Sequence, residues 1–330
     1  MKNNYLIATL ILLFLMVTGS LFLKETINQE SLADKKVIKV GILQLVTHQA
    51  LDQIEKGIED ELLKHQKNGK RIEITVMNAE GDQSKIQTMS RQLTASGNDI
   101  VIGIATPAAQ GLAAATKDIP VVMSAVSDPV GAKLIKNLKA PESNVTGLSN
   151  KVPVKETVSL ISELTPQVKT VGVLYSSSED NSLSQVNDFS QSAQEKGFSV
   201  TKYAVPSTNE VPTTMSVMAA KVDAIFVPQD NTIASAFSTV ISKAKAAKIP
   251  VYSSVDNMVD EGSLASVSQS QYQLGVGTAK QVLRLMKGKK VSQVPVTIVD
   301  DGKPYINPKV AQELGISISK ELRKRSDLAK

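Results

Sequence analysis

The sequence predicts an α/β protein of two parallel-sheet lobes joined by a hinge. Three observations carry that expectation. Short β-branched runs alternate with amphipathic helical stretches along the chain, the pattern of strand–helix–strand units. The run Val37-Ile38-Lys39-Val40-Gly41-Ile42-Leu43-Gln44 is echoed by Val168-Lys169-Thr170-Val171-Gly172-Val173-Leu174-Tyr175 at an offset of 131 residues. A longer block, Asp99–Ile104, a Thr-Pro-Ala-Ala helix start and Lys117–Val122, is echoed at an offset of 124 by Asp223–Pro228, Asn231–Ala234 and Lys248–Tyr252. Each copy runs strand, polar turn, Ala-rich helix, Pro, strand. Two echoes in the same order argue for a duplicated architecture.

Taken in order, the chain opens on Tyr5–Leu23, 19 residues without a formal charge, between Lys2 and Lys24. At ~1.5 Å per residue they span about 28 Å, close to a bilayer core. Thr18-Gly19-Ser20 is a poor cleavage site with apolar residues after it. Residues 1–24 are therefore expected to be an uncleaved membrane anchor with Lys2 inside and the body exported, a cleaved signal segment being the alternative. Residues 25–36 are a polar linker. Residues 37–150 with about 269–293 form lobe one. Residues 151–268 with about 294–330 form lobe two.

Within the lobes, Leu51, Ile54, Ile58 and Leu62 give Leu51–Lys64 an apolar helical face. Ser84–Leu93 and Gln185–Lys196 are similar, each after a capping start. Gly69 and Gly197 end helices ahead of strands Ile72–Met77 and Phe198–Val205. The lobes join near Asn150–Pro153 and near Ser268–Gln271. Helix Tyr272–Lys287 and strand Val294–Val299 are expected to cross back between them. Lys320–Lys330 reads as a solvated basic end.

Composition narrows the function. The 330 residues hold no Cys, no Trp and two His. That excludes disulfides, thiolate nucleophiles, Cys-ligated metal and lipid attachment to an N-terminal Cys. The net charge of +5 comes from the two ends, residues 1–24 and 320–330, and the body is neutral. No nucleic-acid groove is supported. His48 and His65 have no companion ligand cluster, no G-x-S-x-G elbow is present, and no metal, cofactor or catalytic site is expected.

Ligands of open α/β sheets bind beyond the carboxyl ends of the strands. That rule selects Gln44–His48, Ala105–Ala109, Ser124–Pro129, Ser176–Ser182, Pro228–Thr232 and Ser253–Asn257. These segments are rich in Ser, Thr, Asn and Gln, carry several acids and contain no Lys or Arg. Such a cleft suits a ligand with an ammonium group and not a phosphate. Pro107 after a Thr106 cap leaves backbone N–H groups free to hold a carboxylate, or makes an ordinary helix start. The polar run Ser177–Ser182 is its counterpart in lobe two. Asp128 and Asp230 are candidate ammonium partners, each with a plain turn or cap as the alternative. Tyr175 and Tyr252 end strands and are placed to stack on a planar ligand.

The echoed strands, Gly81-Asp82, Ile100–Gln110, Leu174–Ser182, Phe226–Ser235 and Ser263–Val267 together resemble the substrate-binding proteins of ABC transporters, in the branch assigned to tryptophan and related aromatic amino acids. The resemblance covers nearly the whole chain after residue 24. It implies a type I periplasmic-binding-protein fold of two Rossmann-like lobes with three crossovers, hinge closure on ligand, and a C-terminal helix returned to lobe one. It places Thr106, Ala108, Ser177, Asn181, Asp230 and Asn231 at the ligand. The expected function is an extracytoplasmic receptor that hands an amino acid, L-tryptophan first, to ABC permease and ATPase subunits. Thr106 and Ser177 helix starts would hold the carboxylate, and Asp128 or Asp230 the ammonium. Tyr175 and Pro228 would line the ring pocket, with Gln44 or Asn181 accepting from the indole N–H. The alternatives are a receptor for phenylalanine or a nucleoside, and a ligand-sensing domain of a signalling system.

Overall fold

A computed structural model describes Phe14 and residues 31–66 and 70–329 of the chain. The expectations for residues 1–24 and for Gly69 lie outside the described residues. Among the described residues, no helix is long and apolar enough to cross a membrane.

The first lobe is built from β1 (Val37–Gln44), α1 (Gln49–Lys64), β2 (Arg71–Asn78), α2 (Gln83–Ala95), β3 (Ile100–Ile104), α3 (Thr106–Ala115), β4 (Val121–Ser124) and β5 (Val145–Asn150). The chain then enters the second lobe through α4 (Val154–Leu164), β6 (Thr170–Ser176), α5 (Asp180–Glu195), β7 (Ser199–Val205), α6 (Val211–Met218), β8 (Ala224–Val227), α7 (Asn231–Ser235), α8 (Phe237–Ala247), β9 (Val251–Ser253), α9 (Asn257–Asp260) and β10 (Ala265–Ser268). Helix α10 (Gln271–Met286) and β11 (Thr297–Val299) follow, then β12 (Lys303–Ile306), α11 (Pro308–Glu313), α12 (Lys320–Arg325) and β13 (Asp327–Leu328).

Two sheets result, ordered β11-β5-β4-β3-β1-β2 and β13-β12-β10-β9-β8-β6-β7. Their central strands, such as β3 and β8, are buried at every position because helices cover both faces. Pairing is parallel except for β10 with β12, which is antiparallel. One apolar cluster, around Ile42, Ile54, Ile102 and Leu285, fills lobe one. Two clusters, around Phe189 and Phe226 and around Met215 and Phe237, fill the two faces of the second sheet. The Phe189 and Phe226 rings stack with centroids 4.0 Å apart.

The chain crosses between sheets three times, after β5, after β10 and after β11. The crossovers touch each other. Lys151 N donates to Val299 O at 2.8 Å, and Gln269 Nε2 donates to Lys151 O at 3.3 Å. Two sequence expectations change here. Residues 294–330 were expected in lobe two, but β11 pairs with β5, so the last crossing falls after Val299. A three-residue strand offers too little pattern to choose its sheet. The resemblance implies a C-terminal helix on lobe one, but Ala311 and Leu322 pack in the lobe-two core, in line with the lobe-two assignment of the residues after Val299. The late helix that covers lobe one is α10.

Candidate functional site

All the strand ends that face the other lobe meet across one cleft, and the lobes are closed on it. Hydrogen bonds cross the cleft at several points. His48 Nε2 lies 3.1 Å from Asn231 Oδ1, and Asn150 Nδ2 donates to Gln229 Oε1 at 3.1 Å. Gln185 Nε2 donates to Ser127 Oγ at 3.1 Å, and Ser184 Oγ to Asp128 Oδ2 at 3.2 Å. Ala50 of lobe one packs into the apolar cluster of lobe two. Between these contacts lies a small cavity of about 40 Å³.

Part of the cavity lining is polar. Helix α3 begins there at Thr106. The sequence expected Thr106 to cap this helix, but Ala105 is the cap residue and makes no side-chain hydrogen bond. Ala has no acceptor to offer, and Pro107 has no N–H. The amides of Thr106 and Ala108 at the first turn therefore have no capping side chain. Ala105 and Ala125, at the ends of β3 and β4, both line the cavity with φ of 74° and 54°. Such strain in non-Gly residues concentrates at functional sites. Gly103 permits the tight β3–α3 junction, since a Cβ there would stand 2.5 Å from Ala109.

Amides from the lobe-two side and the hinge join this polar part. Asn181 Nδ2 donates to Gln229 O at 3.0 Å, while its Oδ1 is buried without a partner. Asn150 Oδ1 and Gln229 Nε2 are buried and unpartnered as well. Buried polar atoms are normally satisfied, so a cluster of orphans around one cavity marks where a ligand bonds. The unpaired oxygens suit an ammonium, and Gln229 Nε2 with the α3 amides suits a carboxylate.

Asp230 also lines the cavity and is 2% exposed. Its carboxylate accepts from Ser176 N at 2.5 Å, Ser182 Oγ at 2.8 Å and Ile233 N at 2.9 Å. Burial, then the charge of Glu179, push its pKa up to about 7, against those three hydrogen bonds. The rest of the lining is largely apolar. Ala50, Leu51 and Ile54 of α1, Ala234 of α7, Val255, and Met258 of α9 contribute to it. His48 stands at the head of the α1 wall.

Of the residues singled out in the sequence, the cavity gathers Thr106, Asn181, Asp230 and Asn231. The others lie outside its lining. Gln44 is buried beneath the β1–α1 turn, where Nε2 donates to Asp52 at 2.8 Å and to Val46 O at 3.0 Å. Ala108 is wholly buried inside lobe one. Asp128 sits at the cleft mouth, where it accepts from Gly131 N at 2.8 Å. Ser177 is exposed in the turn before α5, whose cap residue is Glu179. Pro228 is buried just ahead of Gln229. Tyr175 packs against the lobe-two core, and Tyr252 is buried there with its hydroxyl 2.8 Å from Thr165 Oγ1. Alternation along the strand sent both rings away from the cleft. His48, Gln229 and Val255 fall inside the strand-end segments the sequence selected. Asn150 and Gln271 fall at the expected hinges. Leu51 and Ile54 were legible only as the apolar stripe of a helix.

Comparison with known proteins gives concordant results. The family model for ABC transporter substrate binding protein matches residues 39–330. A "Tyrosine-binding protein" of Clostridioides difficile is 35% identical over 285 residues, which is 85% of this chain and 82% of that protein. The crystal structure of an ABC domain in complex with L-Trp from Streptococcus pneumonia is 53% identical, covers 88% of this chain and 99% of its own, and superposes with a TM-score of 0.86. The ligand-free, open structure of a Clostridium difficile substrate-binding protein with adhesive properties is 35% identical. It covers 89% of this chain and 99% of its own, with a TM-score of 0.68. The lower agreement with an open structure accords with the closed lobes seen here.

Proposed function

This chain belongs to the family of ABC transporter substrate-binding proteins, and from that premise we propose that it captures an aromatic amino acid, L-tryptophan first, on the outer side of the cell membrane. It is a binder and not an enzyme. In this reading it delivers the ligand to an ABC permease worked by its ATPase subunits, and residues 1–24 tether it to the membrane. The observation that carries the ligand class is a single cavity whose lining combines polar groups with apolar side chains. The uncapped α3 amides and Gln229 Nε2 take the carboxylate. Asn150 Oδ1, Asn181 Oδ1 and Asp230 take the ammonium. Leu51, Ile54, Val255 and Met258 enclose the ring, Met258 offering a sulfur–aromatic contact. The small side chains of Ala50 and Ala234 leave room for it. The streptococcal relative with L-Trp bound and the clostridial tyrosine-binding protein support the same class. Calorimetric titration of the full chain with the twenty amino acids tests it. Heat with tryptophan and not with aliphatic or charged amino acids is expected, and silence with every aromatic amino acid overturns it.

A further inference from the structure

A chain of hydrogen bonds fixes the chemistry of one ring nitrogen of His48, a residue of the cavity lining. Glu179 is 5% exposed, and its carboxylate can only accept. It takes hydrogen bonds from Asn231 Nδ2 at 2.6 Å, Thr232 N at 2.8 Å and Thr232 Oγ1 at 2.9 Å. With Nδ2 of Asn231 committed to Glu179, its Oδ1 is the atom that meets His48 Nε2 across the cleft at 3.1 Å. An amide oxygen offers no hydrogen, so Nε2 must carry one. Burial lowers the His48 pKa, outweighing the Asn231 contact and the charges of Glu179 and Asp52, which favours the neutral ring. A neutral imidazole protonated at Nε2 bears a free lone pair at Nδ1. That atom is buried and has no partner. His48 lines the cavity immediately before Ala50, Leu51 and Ile54, the wall proposed above to enclose the ring.

We propose that His48 Nδ1 accepts a hydrogen bond from a donor on the ligand's ring, an indole N–H or a phenol O–H, and so selects aromatic amino acids that carry one over phenylalanine. The proposal rests on the aromatic-amino-acid reading of the cavity. It replaces Gln44 and Asn181 as the ring acceptor, since Gln44 lies outside the lining and Asn181 sits among the amides of its polar part. A ligand without the donor leaves Nδ1 buried and unpaired, which weakens binding by on the order of tenfold or more.

The test compares L-tryptophan, 1-methyl-L-tryptophan and L-phenylalanine on the full-length wild type and on His48→Leu. The wild type is expected to prefer tryptophan over both others by about tenfold or more. In His48→Leu that preference collapses, chiefly through loss of tryptophan affinity. Nitrogen-15 NMR of the wild-type imidazole gives a readout that needs no variant: an Nε2–H tautomer, with an Nδ1 resonance that moves with tryptophan and not with its 1-methyl derivative. Equal binding of the three ligands by the wild type, an unchanged preference in His48→Leu, or an Nδ1–H tautomer overturns the proposal alone. Failure of all three ligands to bind the wild type overturns it together with the reading of the cavity.

Discussion

Asp230 shows what one buried carboxylate does in this fold. Its three hydrogen bonds tie the end of β6 to the start of α7, and the same side chain borders the cavity. Its folded pKa of about 7 exceeds the value of 3.8 for a free carboxyl. Between about pH 4 and pH 7 the folded chain therefore keeps a proton that the unfolded chain has released. Stability of the ligand-free protein falls as pH rises through that window, and Asp230→Asn flattens the dependence in denaturant titrations at pH 5 and pH 8. Ligand affinity follows the opposite sign, because an ammonium favours the ionised carboxylate. Tryptophan is expected to bind more tightly at pH 8 than at pH 5, with little change in Asp230→Asn. Ligand truncation separates the two poles of the site. Tryptamine, which lacks the carboxylate, and indole-3-propionate, which lacks the ammonium, should each bind weaker by about tenfold or more in calorimetry.

Helix α1, which carries the cavity residues proposed to enclose the ring, is held by α10. Their backbones touch: a Cβ on Gly57 would stand 2.2 Å from Tyr272 O, and one on Gly275 would stand 2.1 Å from Ile54 O. No flexible side chain can give way there. Gly57→Ala must push the helices apart, at a cost of about 1–3 kcal/mol in thermal or chemical unfolding. Because Leu51, Ile54 and Gln271 ride on these two helices, the same variant should lose tryptophan affinity. The helices were legible in the sequence through their 3.6-residue apolar spacing, and Gly57 stood inside that pattern without a visible reason. The reason is the partner helix, which lies more than two hundred residues away in the chain. The start of α3 was misread for a related cause. Thr106-Pro107 resembles a capped start, but the chain turns one residue earlier, at Ala105, whose φ of 74° is imposed by the β3–β4 ends.

At the scale of the whole molecule the cross-cleft hydrogen bonds hold the lobes shut, and three adjacent crossovers let them part. Gly302 permits the crossovers to pack, since a Cβ there would lie 2.8 Å from Pro153 and 3.2 Å from Ser268 N. Ligand bridging both lobes adds to the closed state only. Small-angle scattering should show a more compact particle with saturating tryptophan than without it, and equal dimensions would refute hinge closure as the binding step. Gln185 belongs to the latch and not to the cavity lining. Its Oε1 accepts from Gln229 N at 2.8 Å, and its Nε2 reaches Ser127. Gln185→Ala should weaken binding several-fold, mostly through faster dissociation in stopped-flow measurements.

The α/β class, the repeated strand–helix pattern, two of the three crossovers and the strand-end segments that border the cleft were all legible in the residues alone. Those properties follow from local periodicity and from a repeat, which each stretch of chain carries on its own. Which side chains of those segments line the cavity follows from packing between distant parts of the chain. Tyr175 packs on the lobe-two core, while His48, Asn150 and Asn181 line the cavity, the two Asn with unpartnered oxygens. Facing depends on strand register, on one positive φ and on the contact of two distant lobes. None of these leaves a mark within a few residues of the side chain it directs.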